Sequence, residues 1–459
     1  MTHARTPHKT FSIITLGCKL NQYESECLRE RLVQQGWTYC RFEEGGASFY
    51  IINSCTVTGK TDARTRNFVR RARRASPDAT IIVTGCYAET QPEALRSMNE
   101  VDLVLGNGEK RSIPLVMNGI IAGDDRSPLR TSSPGPGGPV DFHKIDSFLD
   151  HSRAFIKIQE GCNASCSYCI IPVARGRSRS VPPQCVIDQV RHLEQRGYGE
   201  VVLTGIHIGR YGHDTNGGPD LAELVRMLLG GTEHVRLRLS SIEVTEIDDE
   251  LVSLIGSTDR IAPHLHIPLQ SGDDGVLAAM KRPYRSAFFR AMIEKLKALV
   301  PSMAIGTDII VGFPGEGEEQ FRNTYLFVGE LPISYFHVFN FSRRPGTAAF
   351  TMTGQVPADV RKRRSAKLIK LGTAKRRGFM KSSIGIREQG LIQGPESAFS
   401  RFSRSLTGNY CEVFVRCPSR LNGKLVPVIV THYSSGRLYG NVIESESRLQ
   451  HAGSREHPR

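Results

Sequence analysis

Three cysteines, Cys162, Cys166 and Cys169, lie in the stretch FIKIQEGCNASCSYCIIP at the spacing C-x3-C-x2-C. Three thiolates on one short loop can wrap one face of a four-iron cluster and leave the fourth iron without a protein ligand. An open iron is a place for a substrate or cosubstrate to bind, so this triplet points to chemistry rather than to structure. Zinc is the competing reading. Structural zinc sites usually pair two such knuckles to close a tetrahedron, and no second knuckle accompanies this one. Three more cysteines, Cys18, Cys55 and Cys86, sit in TLGCKLNQYE, INSCTVTG and VTGCYAE, each just past an apolar run. Two readings stand for them: core residues, for which cysteine is a common choice, or a second metal site. Cys27, Cys40, Cys185, Cys411 and Cys417 share no such pattern and read as structural.

The elements that position these residues follow from hydrophobic periodicity. FSIIT (11–15), FYIIN (49–53), TIIVT (80–84) and DLVLG (102–106) suit buried parallel strands, with helical patterns at 24–35 and 60–75 between them. Cys18, Cys55 and Cys86 then fall at the carboxyl ends of three strands, where open parallel sheets place their sites. Residues 123–141 are rich in Pro, Gly and Ser and read as a linker. From about 150 to 345 the alternation resumes, with strands at 155–159, 200–204, 235–239, 264–268, 304–310 and 335–340. Helical patterns at 181–196, 219–230, 247–256, 286–299 and 317–329 separate them. Six such units make a partial (β/α)6 barrel, short of a full eight. GFPGE (312–316) lacks the Lys-Ser/Thr ending of a phosphate loop and reads as a turn before a helix.

A very basic helical stretch covers 356–378, and short β-type runs after it read as a small antiparallel barrel. The expected organisation is an α/β multidomain chain. Residues 9–121 form an amino-terminal α/β sheet domain, 122–147 a linker, 148–378 the central barrel, 379–446 the β-barrel and 447–459 a disordered tail.

The chain has 459 residues, a formal net charge of +14 and eleven cysteines. The charge favours a polyanionic partner such as nucleic acid. The start, MTHARTPHKT, lacks the apolar core of a signal peptide, and no apolar run approaches the ~20 residues that span a bilayer. A cytoplasmic protein without a membrane partner is expected, whose cysteines serve metal binding or catalysis rather than disulfides.

EGCNASCSYCIIP resembles the signature of radical S-adenosylmethionine (SAM) enzymes, and PVARGRSRS after it resembles the continuation in their methylthiotransferase branch. The turns carrying Cys18, Cys55 and Cys86 resemble that branch's amino-terminal domain, and the basic stretch and terminal strands its TRAM module. The resemblance spans about residues 10–445. TLGCKLNQYES and INSCTVTGKTDARTRNFVRR look most like the members that modify threonylcarbamoyladenosine in tRNA. Other branches act on isopentenyladenosine in tRNA or on an aspartate of a ribosomal protein. A zinc-stabilised RNA-binding protein without catalysis is the rival from outside the family.

The resemblance implies two [4Fe-4S] clusters, one held by Cys162, Cys166 and Cys169 and binding SAM, the other held by Cys18, Cys55 and Cys86. The reaction it implies replaces hydrogen at C2 of adenine by a methylthio group at tRNA position 37, beside the anticodon. It needs a sulfur donor and a one-electron reductant, whose identities the sequence does not give. Strand-end placement marks Tyr168, Gly205, His207, Ser241, Glu243 and Asp308 for the SAM pocket; for His207 and Asp308 a hydrogen-bonded structural role stands beside that one. Arg175, Arg177 and Arg179 after the cluster loop read as grips on RNA phosphate or cosubstrate, or as a solvated loop. Arg70 and Arg71 on the amino-terminal helix, and Arg363 and Arg364 before the β domain, belong to basic runs read as tRNA contacts.

Overall fold

The computed structural model describes residues 9–123, 129–130, 140–149, 151–397 and 400–443. Most of the expected linker and all but the first residues after the last strand lie outside these, as does the expected tail.

The amino-terminal domain is a parallel sheet of six strands: β1 (Thr10–Thr15), β2 (Thr38–Tyr39), β3 (Phe49–Ser54), β4 (Thr80–Gly85), β5 (Leu103–Leu105) and β6 (Leu129–Arg130), in the order β2-β1-β3-β4-β5-β6. Every residue of β3 and β4 is buried, which is why these runs read as continuously apolar rather than alternating. The helix Gly59–Ala75 turns Asp62, Thr65, Val69 and Ala72 inward and leaves Arg64, Arg70, Arg71 and Arg74 outward. The helix expected at 24–35 starts five residues earlier, at Lys19, with Cys18 as its N-cap. In KLNQ a single apolar residue, Leu20, stands among polar ones, too few to show this first turn by apolar spacing. Cys86 likewise opens a helix, Cys86–Thr90, instead of lying in a turn.

The central domain begins with β7 (Ala154–Lys157) and a two-residue pair, β8 (Gln159–Glu160) with β9 (Arg179–Ser180). There follow β10 (Glu200–Thr204), β11 (Arg236–Leu239), β12 (His264–His266), β13 (Ala304–Val311) and β14 (Tyr335–Asn340). Two parallel sheets, β7-β10-β11 and β12-β13-β14, are joined by single bridges at Leu237–Ile261 and Ser241–His266. The result is the six-strand open arc expected from the sequence. Helices Pro183–Gln195, Leu221–Gly231, Asp249–Ser257, Ser286–Leu299 and Glu318–Glu330 separate the strands, and one continuous apolar core fills the domain. The segment 140–149, expected largely as linker, is anchored to this core by Ile145, and Tyr23 Oη donates to the His143 carbonyl.

The long basic helix Ala358–Ser382 leads to a closed five-strand barrel of β15 (Arg387–Pro395), β16 (Ser403–Thr407), β17 (Glu412–Arg416), β18 (Leu425–Ser434) and β19 (Arg437–Val442). Its pairs are antiparallel except for β17–β19, which close the barrel in parallel. The barrel plugs the amino ends of the central strands. Arg238 Nη1 donates to the Gly408 carbonyl at 2.9 Å, and the Tyr410 ring stacks on His264 with centroids 4.3 Å apart. Among the described residues no helix is long and apolar enough to cross a membrane.

Candidate active site

Both cysteine trios sit at strand ends, and the two sets of strand ends face each other. Cys18, Cys55 and Cys86 follow β1, β3 and β4; Cys55 is close enough to feel the charge of both other thiols, and Cys18 that of Cys86. The backbone enforces this. Gly17 has φ +104°, and a Cβ there would come within 2.6 Å of Cys55 Cβ and 2.9 Å of its Sγ. Only glycine lets the first turn come so near the second. Gly161, before Cys162, has φ +76°, and a Cβ there would lie 1.9 Å from the Arg177 carbonyl oxygen. All eleven cysteines are free thiols. Cys18 is exposed at its surface yet surrounded by protein at longer range, as befits a recessed cleft, and this crowding raises its thiol against the pull of Arg175.

Burial pushes the Cys55 thiol up to about 12, and Cys169 likewise. Metal binding would remove these protons, and the resulting negative charge already has its counter-charges in place. Arg175 Nε donates to Cys86 Sγ at 3.3 Å, and Arg282 Nη1 to Cys166 Sγ at 3.4 Å. His207 Nδ1 lies 3.2 Å from Cys162 Sγ, while its Nε2 is 2.8 Å from a Glu246 carboxylate oxygen. Burial opposes the charged form of His207, but these two partners prevail and raise it to about 10. Two sets of three unbridged thiols, each set supplied with a cationic donor, fit the chemistry of two thiolate-ligated clusters.

The other expected pocket residues come together in part. Tyr168 and Asp308 line one cavity of about 170 Å³ with Cys169 and Gln270, and Val57 and Thr58 of the amino-terminal domain form its far side. It therefore opens between the two trios. Asp308 is held by His266 at 3.2 Å and His337 at 3.1 Å, which overcome its burial and lower its carboxyl to about 2. Ser241 Oγ lies 3.0 Å from His266 Nδ1, which ties it to the same group. Glu243 pairs with Arg282, the donor to Cys166. Gly205 packs against Gln159, whose Oε1 accepts from the His207 backbone at 2.8 Å.

Two arginines assigned to RNA are not available to it. Arg175 is 1% exposed. It ion-pairs with Glu24 and, at 3.0 Å, with Glu160, and it donates to Asn21 Oδ1 as well as to Cys86. Arg364 is 5% exposed and is held by Glu316 and Glu318, each at 2.8 Å. Both lie in basic runs, and a run of charges does not reveal which member turns inward. Arg179 is half-buried, 3.9 Å from Glu160, and Arg71 lies over the rings of Phe42 and Phe68. Arg70, Arg177 and Arg363 are exposed. Sequence reasoning missed Glu24, Asn21, Glu160, Glu246, Arg282, His266 and His337. Asn21 and Glu24 stand three and six residues after Cys18, on the inward face of a helix whose start was misplaced.

Burial would raise Glu24, but Arg175, Lys110 and Lys157 hold it below the usual carboxylate range. This buried network crosses from the helix Lys19–Gln34 to the end of the short helix Ile171–Arg175 that follows Cys169. A second crossing runs from Arg344, after β14, to Asp62 and to Thr56 Oγ1 at 3.0 Å. The two cysteine sites are thus fixed to each other by buried charge pairs.

Residues 10–106 match the model described as Uncharacterized protein family UPF0004, and residues 156–328 that of the Radical SAM superfamily. The chain is 39% identical to the threonylcarbamoyladenosine tRNA methylthiotransferase MtaB of Bacillus subtilis (strain 168), over 95% of this chain and 98% of that one. It is 40% identical to the protein of the same name from Rickettsia prowazekii (strain Madrid E), over 83% and 87%. It is 31% identical to a tRNA-2-methylthio-N(6)-dimethylallyladenosine synthase of Moorella thermoacetica, over 95% and 99%. Among solved structures, the radical S-adenosylmethionine methyltransferase TsrM of Kitasatospora setae shares the fold, with a TM-score of 0.55 over 74% of each chain at 15% identity. With relatives this similar along nearly its whole length, the chain belongs to the radical SAM methylthiotransferase family.

Proposed function

We propose that this chain converts N6-threonylcarbamoyladenosine at position 37 of tRNA to its 2-methylthio derivative. The observation that carries the reading is the pairing of two cysteine trios across one cleft, in a chain 39–40% identical to relatives named for that nucleoside. Relatives named for dimethylallyladenosine are less similar, at 31%.

Cys162, Cys166 and Cys169 would hold the cluster that binds SAM, and Cys18, Cys55 and Cys86 a second one. When bound, these groups supply one-electron and radical chemistry together with an iron able to carry sulfur. An adenine C2–H offers no acidic proton, so acid–base chemistry alone would not serve there. The chain's own residues do the rest. Arg175, Arg282 and His207 hold positive charge against the sulfurs of Cys86, Cys166 and Cys162, which would favour a reduced, more negative state of groups held there. Tyr168, Gln270 and Asp308 shape a cavity between the sites in which a cosubstrate and the base would be held together. Ser241 and Glu243 orient His266 and Arg282 in turn, and Gly205 leaves the space that Gln159 fills.

The terminal barrel is read as a TRAM module, with 9–121, 148–378 and 379–446 as the working domains. Exposed Arg70, Arg177 and Arg363 are its companions in gripping the anticodon region of the tRNA. The reaction takes place in the cytoplasm and draws on a sulfur donor and a one-electron reductant. Nucleoside mass spectrometry of tRNA from cells with and without the gene tests this. Loss of 2-methylthio-threonylcarbamoyladenosine, with its unthiolated precursor accumulating, is the expected result. An unchanged profile would remove the reading.

A further inference from the structure

Lys19 follows Cys18 directly and opens the helix Lys19–Gln34, which packs against β7 at the open edge of the six-strand arc. Its ammonium has no hydrogen-bond or ion-pair partner among the described residues. The charged groups that act on it are Arg153, Arg238, Glu200 and the Cys18 thiol, and His264 feels its charge in turn.

Those surroundings are short of negative charge. Glu200 is fully engaged: Arg236 and Arg238 pair with it at 2.7 and 2.8 Å, and Arg153 at 3.4 Å. The remaining carboxylate near these arginines is Glu388 of β15. Asp308, further along the interior, is occupied by His266 and His337. Four cations, Lys19, Arg153, Arg236 and Arg238, therefore face two carboxylates, and among the described residues Lys19 is the one cation of this group without a carboxylate partner, its other acidic neighbour being the Cys18 thiol. An excess of enclosed positive charge is costly and is relieved when a ligand brings an anion.

We infer that Lys19 is a specificity-determining residue that receives the carboxylate of the substrate's N6 substituent. The inference rests on the proposed function and adds to it what separates the two nucleoside substrates. A threonylcarbamoyl group carries a carboxylate, whereas an isopentenyl group is an uncharged hydrocarbon. C2 and C6 of adenine flank the same ring nitrogen. A base whose C2 is presented to the Cys18, Cys55 and Cys86 site thus carries its N6 substituent close to the residue next to Cys18. Backbone phosphate would satisfy the same ammonium, but phosphate is present whatever base stands at position 37, so the two sources can be told apart.

The test measures affinity of the anaerobically reconstituted protein for two anticodon stem-loops, one with threonylcarbamoyladenosine and one with plain adenosine at position 37. A charge-assisted contact is worth roughly 1.5–3 kcal/mol, so the unaltered protein should prefer the modified loop by about 10- to 100-fold. Lys19→Gln should bring the two affinities to within about threefold, and Lys19→Arg should keep the preference. Because the readout is a ratio, a loss of folding or of iron from a change beside Cys18 lowers both affinities and does not imitate the result. A ratio unchanged in Lys19→Gln, including an equal loss on both loops as a phosphate contact would give, overturns the inference. If the unaltered protein fails to distinguish the loops, the proposed substrate itself fails, and the role of Lys19 with it.

Discussion

The Nε of Arg175 donates to Cys86 Sγ at 3.3 Å, although Arg175 belongs to the central domain and Cys86 to the amino-terminal one. Arg175 stands six residues after Cys169. The short helix Ile171–Arg175 that follows one cysteine trio therefore ends in a hydrogen bond to a member of the other. The same guanidinium neutralises Glu24 and Glu160 where no water reaches it.

Removing that guanidinium strands two buried carboxylates. Arg175→Met is expected to destabilise the protein by about 3–5 kcal/mol, the usual consequence of breaking a buried charge pair from one side. Denaturant unfolding followed by tyrosine and tryptophan fluorescence measures it. A loss below about 1 kcal/mol, the range of a surface ion pair, would show that the network does not hold the domains together.

Gly17→Ala places a Cβ against Cys55 at a backbone conformation that L side chains seldom adopt. It should disturb one trio and spare the other. Two clusters hold about eight irons per chain, so the variant should retain about four after anaerobic reconstitution. Cys55→Ser should behave alike, and Cys162→Ala should lose the other half. Stoichiometric zinc in place of iron would end the cluster reading altogether.

Asp308 provides a pH dependence with a definite sign. Its carboxyl lies at about 2 in the fold against 3.8 unperturbed, because His266 and His337 favour the ionised form. The folded value is depressed, so its stabilisation is present above pH 4 and is lost as the pH falls from about 4 through about 2. The difference is worth about 2 kcal/mol. Unfolding free energies measured across this range should fall less steeply for Asp308→Asn than for the unaltered protein. Equal slopes would mean that the two histidines do not stabilise the carboxylate.

Affinity for tRNA should fall steeply with salt, with a log–log slope that scales with the number of phosphates neutralised. Arg363→Ala, which removes an exposed charge, should reduce that slope by about one unit with stability unchanged. Arg364→Ala, one residue on, should instead lower stability, because Arg364 is buried against Glu316. If both variants changed the slope equally, the division between inward and outward arginines would be wrong.

That pair shows what was legible in the sequence and what was not. The strands of both sheets were readable because continuous apolar runs such as FYIIN and TIIVT have few alternatives to a buried parallel strand. Cys162, Cys166 and Cys169 stood out by their spacing, whereas strand-end position left Cys18, Cys55 and Cys86 open between core residues and a second site until the fold brought them together. Arg175 and Arg364 were misread because their partners are distant in sequence: Arg175 meets Glu24 across 151 residues, and Arg364 meets Glu316 across 48. Charge in a run looks solvated until the fold supplies a carboxylate. The roles of His266 and His337 were hidden for the same reason, since Asp308 gathers them from neighbouring strands. The first turn of the helix Lys19–Gln34 escaped because Leu20 and Tyr23 are its only large apolar residues facing inward and polar Asn21 is buried between them.

The central claim is that two cysteine sites in one cleft insert sulfur at adenine C2 of a threonylcarbamoylated tRNA. Its most direct test supplies the reconstituted protein with SAM, a low-potential reductant, sulfide and tRNA bearing threonylcarbamoyladenosine at position 37, then digests the tRNA for nucleoside mass spectrometry. The account predicts a product heavier by one methylthio group in place of hydrogen, and none from Cys55→Ser. Cleavage of SAM with the nucleoside left unchanged, or thiolation of isopentenyladenosine in preference, would contradict it.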